Sequence, residues 1–355
     1  MRVAYTLEQC WHRVPGGTGT AAVAMAAEIS RLPGVELIGV AGRHRRPPTP
    51  GFEPNIPVRS LPLASPWLYE TWLRLRWPLV ESVVESPDLV HSTTIIPPAT
   101  RAPLVVTLHD IAFVRHPEFF TAHGNRVFNR SMSVLRERAA AVMCSSRATV
   151  DDCIANGFDA ARLHHVPLGV DARPPAPAEV ERVRARYSLP SGFVLFVGTM
   201  EPRKNLQRLI RALPFVTPSL PLVVVGMKGW GDQPVPTDHE VHFTGFVPSE
   251  DLAALYGACT VFAYPSLLEG FGLPVLEAMA AGAPVVTSRG TSTEEVAGGA
   301  AVLVDPTDPA SIAAGISEAV ARREELVALG HLNASRCTWH RTAELVGEVY
   351  RGVLG

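Results

Sequence analysis

Two glutamates flank a segment with the features of a helix start, Glu269-Gly-Phe-Gly-Leu-Pro-Val-Leu-Glu277. Pro274 suits the first helical turn, where its missing N–H costs nothing. The amides of Gly272–Val275, with the positive end of the helix dipole behind them, predict a cradle for a diphosphate. Carboxylates on both sides of such an anion suit the hydroxyls of a sugar and of a ribose. The segment therefore predicts a nucleotide-sugar site.

A basic pair lies at a second strand end. The segment Val197-Gly-Thr-Met-Glu-Pro-Arg-Lys-Asn205 follows an apolar strand and opens a helix, and doubly wound sheets bind ligands at the carboxyl ends of their strands. Arg203 offers a planar fork and Lys204 a compact charge, so together they can stabilise a departing nucleoside diphosphate without a metal ion. A solvated helix start with ordinary charges is the alternative interpretation.

Together the two segments resemble the GT-B retaining glycosyltransferases, and in particular the mannosyltransferase-like members of glycosyltransferase family 4. Glu269 and Glu277 match the E-x7-E signature, and the segment around Arg203 and Lys204 matches a common V-G-T-x-E-P-R-K-N variant. The resemblance implies that Glu269 contacts the donor sugar, Glu277 the ribose, and the basic pair the leaving diphosphate. Other members carry an arginine where this chain has Thr199, which leaves open which basic residue meets which phosphate.

The resemblance implies further donor contacts. The stretch Phe243–Leu252 is similar to a family loop that lies against the nucleobase. A G-G-x-G loop that closes over the donor phosphates and the acceptor is matched in the loop Pro15–Thr20, before a helix predicted over Thr20–Leu32. The expected donor-binding residues are Gly16, Gly17, Gly19, Thr199, Phe246, Val247, Gly270, Phe271, Gly272, Leu273 and Glu277.

A histidine ends a strand in the first half of the chain. His109 follows Pro103–Leu108, and its V-T-L-H-D context resembles a family pattern that implies a histidine near the donor sugar and the acceptor hydroxyl. The expected catalytic residues are therefore Glu269, His109, Arg203 and Lys204. For His91, a structural and a functional role are both open.

Short β-branched runs alternate with segments of helical period, which predicts an α/β protein with doubly wound parallel sheets. This alternation of predicted strands and helices begins again at Phe193, so two Rossmann-like domains are expected. The predicted boundaries are residues 1–170, a proline-rich linker at 171–180, a nucleotide-sugar-binding domain at 181–335 and a packing helix at 336–355. The resemblance implies a GT-B arrangement, with the two domains facing across a cleft and the acceptor mainly on the first.

Composition narrows the function classes. A net charge of −2 over 355 residues gives no reason to expect nucleic-acid binding. Five cysteines without a C-x-x-C pair argue against a zinc knuckle, and the absence of a D-x-D motif agrees with the metal-independent reaction that the resemblance implies. No run approaches about 18 apolar residues, so the protein is expected in the cytoplasm, with peripheral contact at the inner face of the membrane as a further option.

One tryptophan-rich stretch, Ser65–Leu79, has two interpretations. Leu68, Trp72, Leu75 and Leu79 share a helical face and are expected in the core, while Trp67, Arg74 and Trp77 project elsewhere. The latter either pack against a neighbouring loop, which is favoured, or contact an acceptor or a membrane surface.

The expected activity is metal-independent transfer of a hexose from a nucleotide sugar, with mannose from GDP-mannose preferred, to a glycan, lipid-linked or small-molecule acceptor. No cofactor is expected besides this co-substrate. The run Gly17-Thr-Gly-Thr-Ala-Ala22 also satisfies G-x-G-x-x-A, with arginines at the end of the second strand, so an NADP-dependent oxidoreductase is an alternative. A sugar-nucleotide epimerase and a catalytically silent sugar-binding module are the others.

Overall fold

The computed structural model describes residues 1–227 and 239–355. The chain divides into two compact units, one of Met1–Leu168 with Trp339–Gly355 and one of Gly169–Thr338. The predicted linker at 171–180 is only partly a linker, because a helix begins at Pro177. Proline at a helix start uses a position where an N–H has no partner in any case, which is why a proline-rich stretch can open a helix.

The strands are short. Within the described residues they are β1 Arg2–Thr6, β2 Glu36–Ala41, β3 Val58–Ser60, β4 Leu89–Ser92, β5 Leu104–Leu108, β6 Ala139–Cys144, β7 Leu163–His165, β8 Val194–Val197, β9 Leu222–Val225, β10 Val241–Gly245, β11 Val261–Tyr264, β12 Val285–Ser288 and β13 Val302–Val304. The strands inside each sheet are largely buried, whereas the edge strands β3, β7 and β10 are partly exposed. Apolar runs such as Val-Leu-Phe-Val in β8 reflect burial on both faces of a parallel sheet.

Helices follow most of the strands. The described residues form α1 Gly16–Ile29, α2 Trp67–Leu75, α3 Ala112–Arg115, α4 Ala122–Arg138, α5 Arg147–Ala155, α6 Pro177–Arg186, α7 Leu206–Ala212, α8 Ser249–Ala258, α9 Leu273–Ala280, α10 Ser292–Ala297, α11 Pro309–Ala321, α12 Arg323–Arg336 and α13 Trp339–Leu354. In this part of the chain no helix has both the length and the apolar character to cross a bilayer.

Each unit contains one parallel sheet. The described strands order as β3-β2-β1-β4-β5-β6-β7 in the first unit and β10-β9-β8-β11-β12-β13 in the second. The direction in which successive strands are added along the sheet reverses between β1 and β4 and again between β8 and β11, although the paired strands stay parallel. Such switch points leave a crevice at the carboxyl ends of the two central strands, where α/β sheets bind their ligands.

The last helix, α13, belongs to the first unit and packs on α1. Val346 and Val349 of this helix are buried. The Tyr350 hydroxyl lies 2.6 Å from Nδ1 of His91, and Nε2 of His91 lies 2.8 Å from the Thr107 hydroxyl. The end of the chain is therefore anchored in the first sheet through His91.

Candidate functional site

The switch point of the second sheet brings two predicted segments together. β8 and β11 are paired, with Val194 opposite Val261. Beyond their ends, the Leu267 amide donates to the Arg203 carbonyl oxygen at 2.8 Å, which joins the segment after β8 to the segment after β11. The basic pair and Glu269, about 65 residues apart in the sequence, are neighbours for this reason.

Glu269 is the centre of a cluster of charged groups. Its Oε2 lies 2.9 Å from Nη1 of Arg203, and its Oε1 lies 2.9 Å from Nζ of Lys204. The Tyr264 hydroxyl donates to the same Oε1 at 2.8 Å and accepts from Nζ of Lys204. Glu201 holds the other side of Arg203, with Oε1 2.8 Å from Nη2. Both cations thus converge on one carboxylate.

Burial and pairing compete in this cluster. Burial alone would raise the pKa of Glu269, but Arg203 and Lys204 outweigh it and lower that pKa to about 2. Burial lowers the pKa of Lys204, and repulsion from Arg203 adds to this effect, against the attraction of Glu269. Burial also raises the pKa of Glu201, against the pull of Arg203 and Lys204. Glu269 is consequently a stable anion at neutral pH.

The start of α9 lies directly after Glu269. Gly272 has φ +111°, and a Cβ there would come within 2.9 Å of the Thr293 Cγ2, so glycine is required for both reasons. The prediction that the Val275 amide is available is wrong, because it donates to the Gly272 carbonyl oxygen at 2.9 Å in the tight first turn. Pro274 has no N–H, which leaves the amides of Gly272 and Leu273 ahead of the helical ladder. The cradle is smaller than the sequence suggested.

Glu277 lies on α9, separate from the cluster around Glu269. Its Oε2 accepts from the Tyr256 hydroxyl of α8 at 3.0 Å, and its side chain is partly buried. Burial raises the pKa of Glu277, while the bond from Tyr256 opposes the change. The two glutamates therefore differ electrostatically: Glu269 is neutralised by cations, and Glu277 is held by a neutral hydroxyl.

The other predicted donor residues of this unit occupy varied positions. Phe246 is exposed and Val247 is buried, so of this pair only Phe246 presents its side chain to solvent. Thr199 is partly buried beyond the end of β8. Gly270, Phe271 and Leu273 are buried around the start of α9.

The prediction that the glycines of Pro15–Thr20 lie in a loop is wrong. α1 begins at Gly16 and ends at Ile29, so Gly16, Gly17 and Gly19 form the first turn of the helix expected over Thr20–Leu32. A Cβ at Gly19 would meet the Pro15 Cβ at 2.5 Å, so this glycine permits a close approach within the turn. The alternation of glycine and threonine concealed the helix, since glycine has low helix propensity.

His109 is placed beyond β5, as the sequence predicts. Among the described residues its Nε2 is buried without a hydrogen-bond partner, while its carbonyl oxygen accepts from Ser145 and Thr149. Burial lowers its pKa, which favours a neutral imidazole. His91 differs, since it is fully buried with both nitrogens engaged, and burial together with His109 lowers its pKa to about 3. These properties fit a structural His91.

Several residues with buried polar contacts carry little signal in the sequence. Tyr264 is the last residue of an apolar strand, and this position predicts a core residue. Its hydroxyl nevertheless links Glu269 and Lys204. The Ser292 hydroxyl fixes the Glu269 carbonyl oxygen at 2.6 Å. In the first unit, Glu8 follows β1 at the switch point and is buried, with Oε2 bonded to the Gly42 amide and Oε1 without a partner among the described residues. A charged residue two positions after the end of a central strand was the available clue to Glu8.

Comparisons with known proteins match both units. A family model described as Glycosyl transferases group 1 matches residues 192–322, and one described as Glycosyltransferase Family 4 matches residues 15–173. The chain is 34% identical over 265 residues to the O-antigen chain mannosyltransferase B of Escherichia coli, covering 70% of each protein. The chain belongs to the family 4 glycosyltransferases. Its activity is therefore glycosyl transfer.

Two further relatives of this glycosyltransferase are a second mannosyltransferase and an enzyme named for a different substrate, D-inositol 3-phosphate. The serotype-specific mannosyltransferase WbdA of Escherichia coli is 28% identical over 303 residues, which are 76% of this chain and 37% of WbdA. The present chain thus spans about a third of that relative. A D-inositol 3-phosphate glycosyltransferase of Acidothermus cellulolyticus is 30% identical over 282 residues, 71% of this chain and 62% of the relative.

Solved structures establish the fold of the glycosyltransferase as GT-B. Anabaena HepE in complex with UDP and glucose has a TM-score of 0.75 at 20% identity, covering 99% of this chain and 100% of HepE. WaaG, a glycosyltransferase involved in lipopolysaccharide biosynthesis, has a TM-score of 0.71 at 17% identity, with 99% and 100% covered. The predicted fold class, an α/β protein with two doubly wound parallel sheets, is thereby confirmed.

Proposed function

We propose that the enzyme transfers mannose from GDP-mannose to a glycan or lipid-linked acceptor, with retention of the anomeric configuration and without a metal ion. The convergence of Arg203 and Lys204 on Glu269 beside the start of α9 carries this proposal. The choice of mannose draws support from the E. coli mannosyltransferases among the relatives. HepE was solved with UDP and glucose, so UDP-glucose is the competing donor to test.

The basic pair stabilises the leaving group in this proposal. Negative charge grows on the diphosphate as its bond to the sugar breaks, and fixed cations in a partly buried site lower the barrier most effectively. Arg203 is held by Glu201 and Glu269, and Lys204 by Tyr264 and Glu269, so both cations are oriented before the donor arrives. The amides of Gly272 and Leu273 add donors at the positive end of α9.

Glu269 has a second task towards the donor sugar. A carboxylate has about four acceptor positions, and Arg203, Lys204 and Tyr264 use three of them. The remaining position can accept one sugar hydroxyl in a charge-assisted bond. Glu277, whose carboxylate is bonded to Tyr256, accepts from the ribose.

The acceptor is activated without a covalent enzyme intermediate. Its hydroxyl attacks the anomeric carbon on the face that the diphosphate leaves, and its proton passes to an oxygen of that diphosphate. His109, with a buried Nε2 that has no partner among the described residues, orients the acceptor hydroxyl as a hydrogen-bonding group. Neutral imidazole suits this task, since burial lowers the pKa of His109.

A donor screen tests the proposal. We expect GDP-mannose to raise the melting temperature more than UDP-glucose, and incubation with a mannosyl acceptor to release GDP and form an α-linked product visible by NMR. Addition of EDTA should leave the rate unchanged. GDP release should fall sharply in Arg203→Gln and persist in Glu324→Gln, an exposed position of the same unit. Preference for UDP-glucose, a β-linked product or inhibition by EDTA would each refute the corresponding part of the proposal.

A further inference from the structure

The exposed apolar side chains of the first unit are concentrated in one segment. Among its described residues, six large apolar side chains are exposed, and three of these lie within residues 67–77. They are Trp67, Leu75 and Trp77, with 70%, 71% and 51% of their surface exposed. Isolated exposed apolar residues are ordinary, but a cluster with two tryptophans marks a contact surface.

The geometry of α2 explains the cluster. Trp67, Arg74 and Leu75 follow a spacing of seven and eight residues along the helix, which places them on one face. Leu68 and Trp72 are buried in the core. The prediction that Leu75 is a core residue is wrong, because α2 ends there and its last residue lies on the solvent face.

The end of α2 adds an exposed basic and aromatic turn. Arg76 is left-handed, with φ +51° and ψ +45°, so the chain leaves the helix abruptly. The four residues Arg74-Leu-Arg-Trp77 are all exposed in succession. A helix face with tryptophan, leucine and arginine at its border is the composition of segments that lie in a membrane interface.

The neighbouring helix α4 extends the positive charge. Near the start of α4, Nε2 of His123 lies 3.8 Å from Oε1 of Glu70 in α2. Near the end of α4, Arg138 lies close to Arg76: burial is the main cause that lowers the pKa of Arg138, and the positive charge of Arg76 lowers it further. Arg126 and Arg130 lie between these ends and are exposed. α4 therefore runs beside α2 with arginines along its open side.

Charge complementarity identifies the partner. Residues 67–77 and 122–138 contain six arginines and two glutamates, although the whole chain carries a net charge of −2. We define the docking face as Trp67, Arg74, Leu75, Arg76, Trp77, Arg126 and Arg130. We propose that this docking face binds the surface of an anionic lipid bilayer, with the tryptophans at the level of the headgroups and the arginines on the phosphates. Indole rings favour this depth, and guanidinium groups bind phosphate in a bidentate manner. The proposal does not depend on the identity of the sugar donor.

Co-sedimentation with vesicles tests the proposal. The full-length protein should pellet with vesicles of phosphatidylglycerol and phosphatidylcholine in equal parts, should remain in the supernatant with phosphatidylcholine alone, and should be released by salt. Arg76→Gln with Arg130→Gln should weaken the partition coefficient roughly 25-fold, at the usual contribution of a basic residue near an anionic membrane. Trp67→Ala with Trp77→Ala should weaken it by about tenfold or more.

A matched variant controls for general loss of charge and apolar surface. Arg211 and Phe215 are an exposed arginine and an exposed aromatic residue of the second unit, so Arg211→Gln with Phe215→Ala should bind vesicles as the unmodified protein does. All variants should keep their circular dichroism spectrum and their donor turnover, since none of these residues lies at the site.

Two results would overturn the assignment. The first is equal vesicle binding by the docking-face variants and the control variant, or no binding by the unmodified protein. The second is a concentration-dependent dimer, seen by light scattering without vesicle binding, that is abolished by Trp67→Ala with Trp77→Ala. That outcome would assign the docking face to a second copy of the chain.

Discussion

Replacement of Glu269 by glutamine removes the central charge of the site while keeping its shape. The side chain is 8% exposed, and three donors converge on it from Arg203, Lys204 and Tyr264. Glutamine offers one acceptor oxygen in place of two, and it leaves the buried ammonium of Lys204 without its direct counterion. We therefore expect a loss of both stability and turnover.

The size of the stability loss follows from the pKa of Glu269. Its value of about 2, against a usual 4.5, means that the folded state favours the ionised form. This difference corresponds to about 3 kcal/mol of unfolding free energy. For a unit of this size, such a loss lowers the melting temperature by roughly 6–12 °C. Unfolding of the second unit, followed by circular dichroism at pH 7, measures the effect.

The pH dependence gives a sharper test. Because the folded-state pKa of Glu269 lies below the unfolded value, its contribution is complete above about 4.5 and is lost as the pH falls towards 2. The difference in unfolding free energy between the unmodified protein and Glu269→Gln should thus shrink from pH 6 to pH 3. A constant difference over this range, or no difference at pH 7, would refute the reasoning. Glu324→Gln, at an exposed position on α12, is the matched control and should change neither value.

Three further substitutions test individual contacts of the site. Arg203→Gln should lower kcat by about 100-fold or more, since a charge that stabilises the leaving group is lost; steady-state kinetics with saturating donor measure this, and an unchanged kcat would contradict the assigned role. Tyr264→Phe removes the hydroxyl between Glu269 and Lys204 and should cost about 1–3 kcal/mol in denaturant unfolding, whereas a neutral effect would mean that the hydroxyl bonds add nothing. Gly272→Ala should weaken donor binding because its Cβ would meet the Thr293 Cγ2 at 2.9 Å. Adding Thr293→Ser, which deletes that methyl group, should restore part of the affinity in calorimetry, and an identical loss in the double variant would leave only the backbone strain as cause.

Much of the fold is predictable because buried parallel strands are continuous apolar runs. β8 and β11 are such runs, and the residues that follow them must meet if the two strands are neighbours. The sequence therefore located Arg203, Lys204 and Glu269 at one edge of the sheet. It did not reveal that both cations pair with the same carboxylate, because this depends on side-chain directions set by the Tyr264 hydroxyl and by the contact between the two loops.

The predictions that failed did so because local backbone conformation and contacts override the pattern of residue types. The apolar spacing from Leu68 to Leu79 describes a longer helix than the chain forms, since the left-handed Arg76 ends α2 and leaves Leu75 in solvent. The helix that begins at Gly16 forms in spite of the low helix propensity of glycine, and at Gly19 the nearby Pro15 and Phe52 leave no room for a side chain. The tight turn at Gly272 consumes the Val275 amide, a bond that no pattern of residue types announces.

The central claim is that Arg203 and Lys204 hold the diphosphate of the donor. Titration calorimetry with GDP and with guanosine, on the unmodified protein and on Arg203→Gln with Lys204→Met, tests this most directly. We predict that the unmodified protein binds GDP at least about 100-fold more tightly than guanosine, and that the double variant loses most of this ratio while its affinity for guanosine is unchanged. Equal preference for GDP over guanosine in both proteins would contradict the claim.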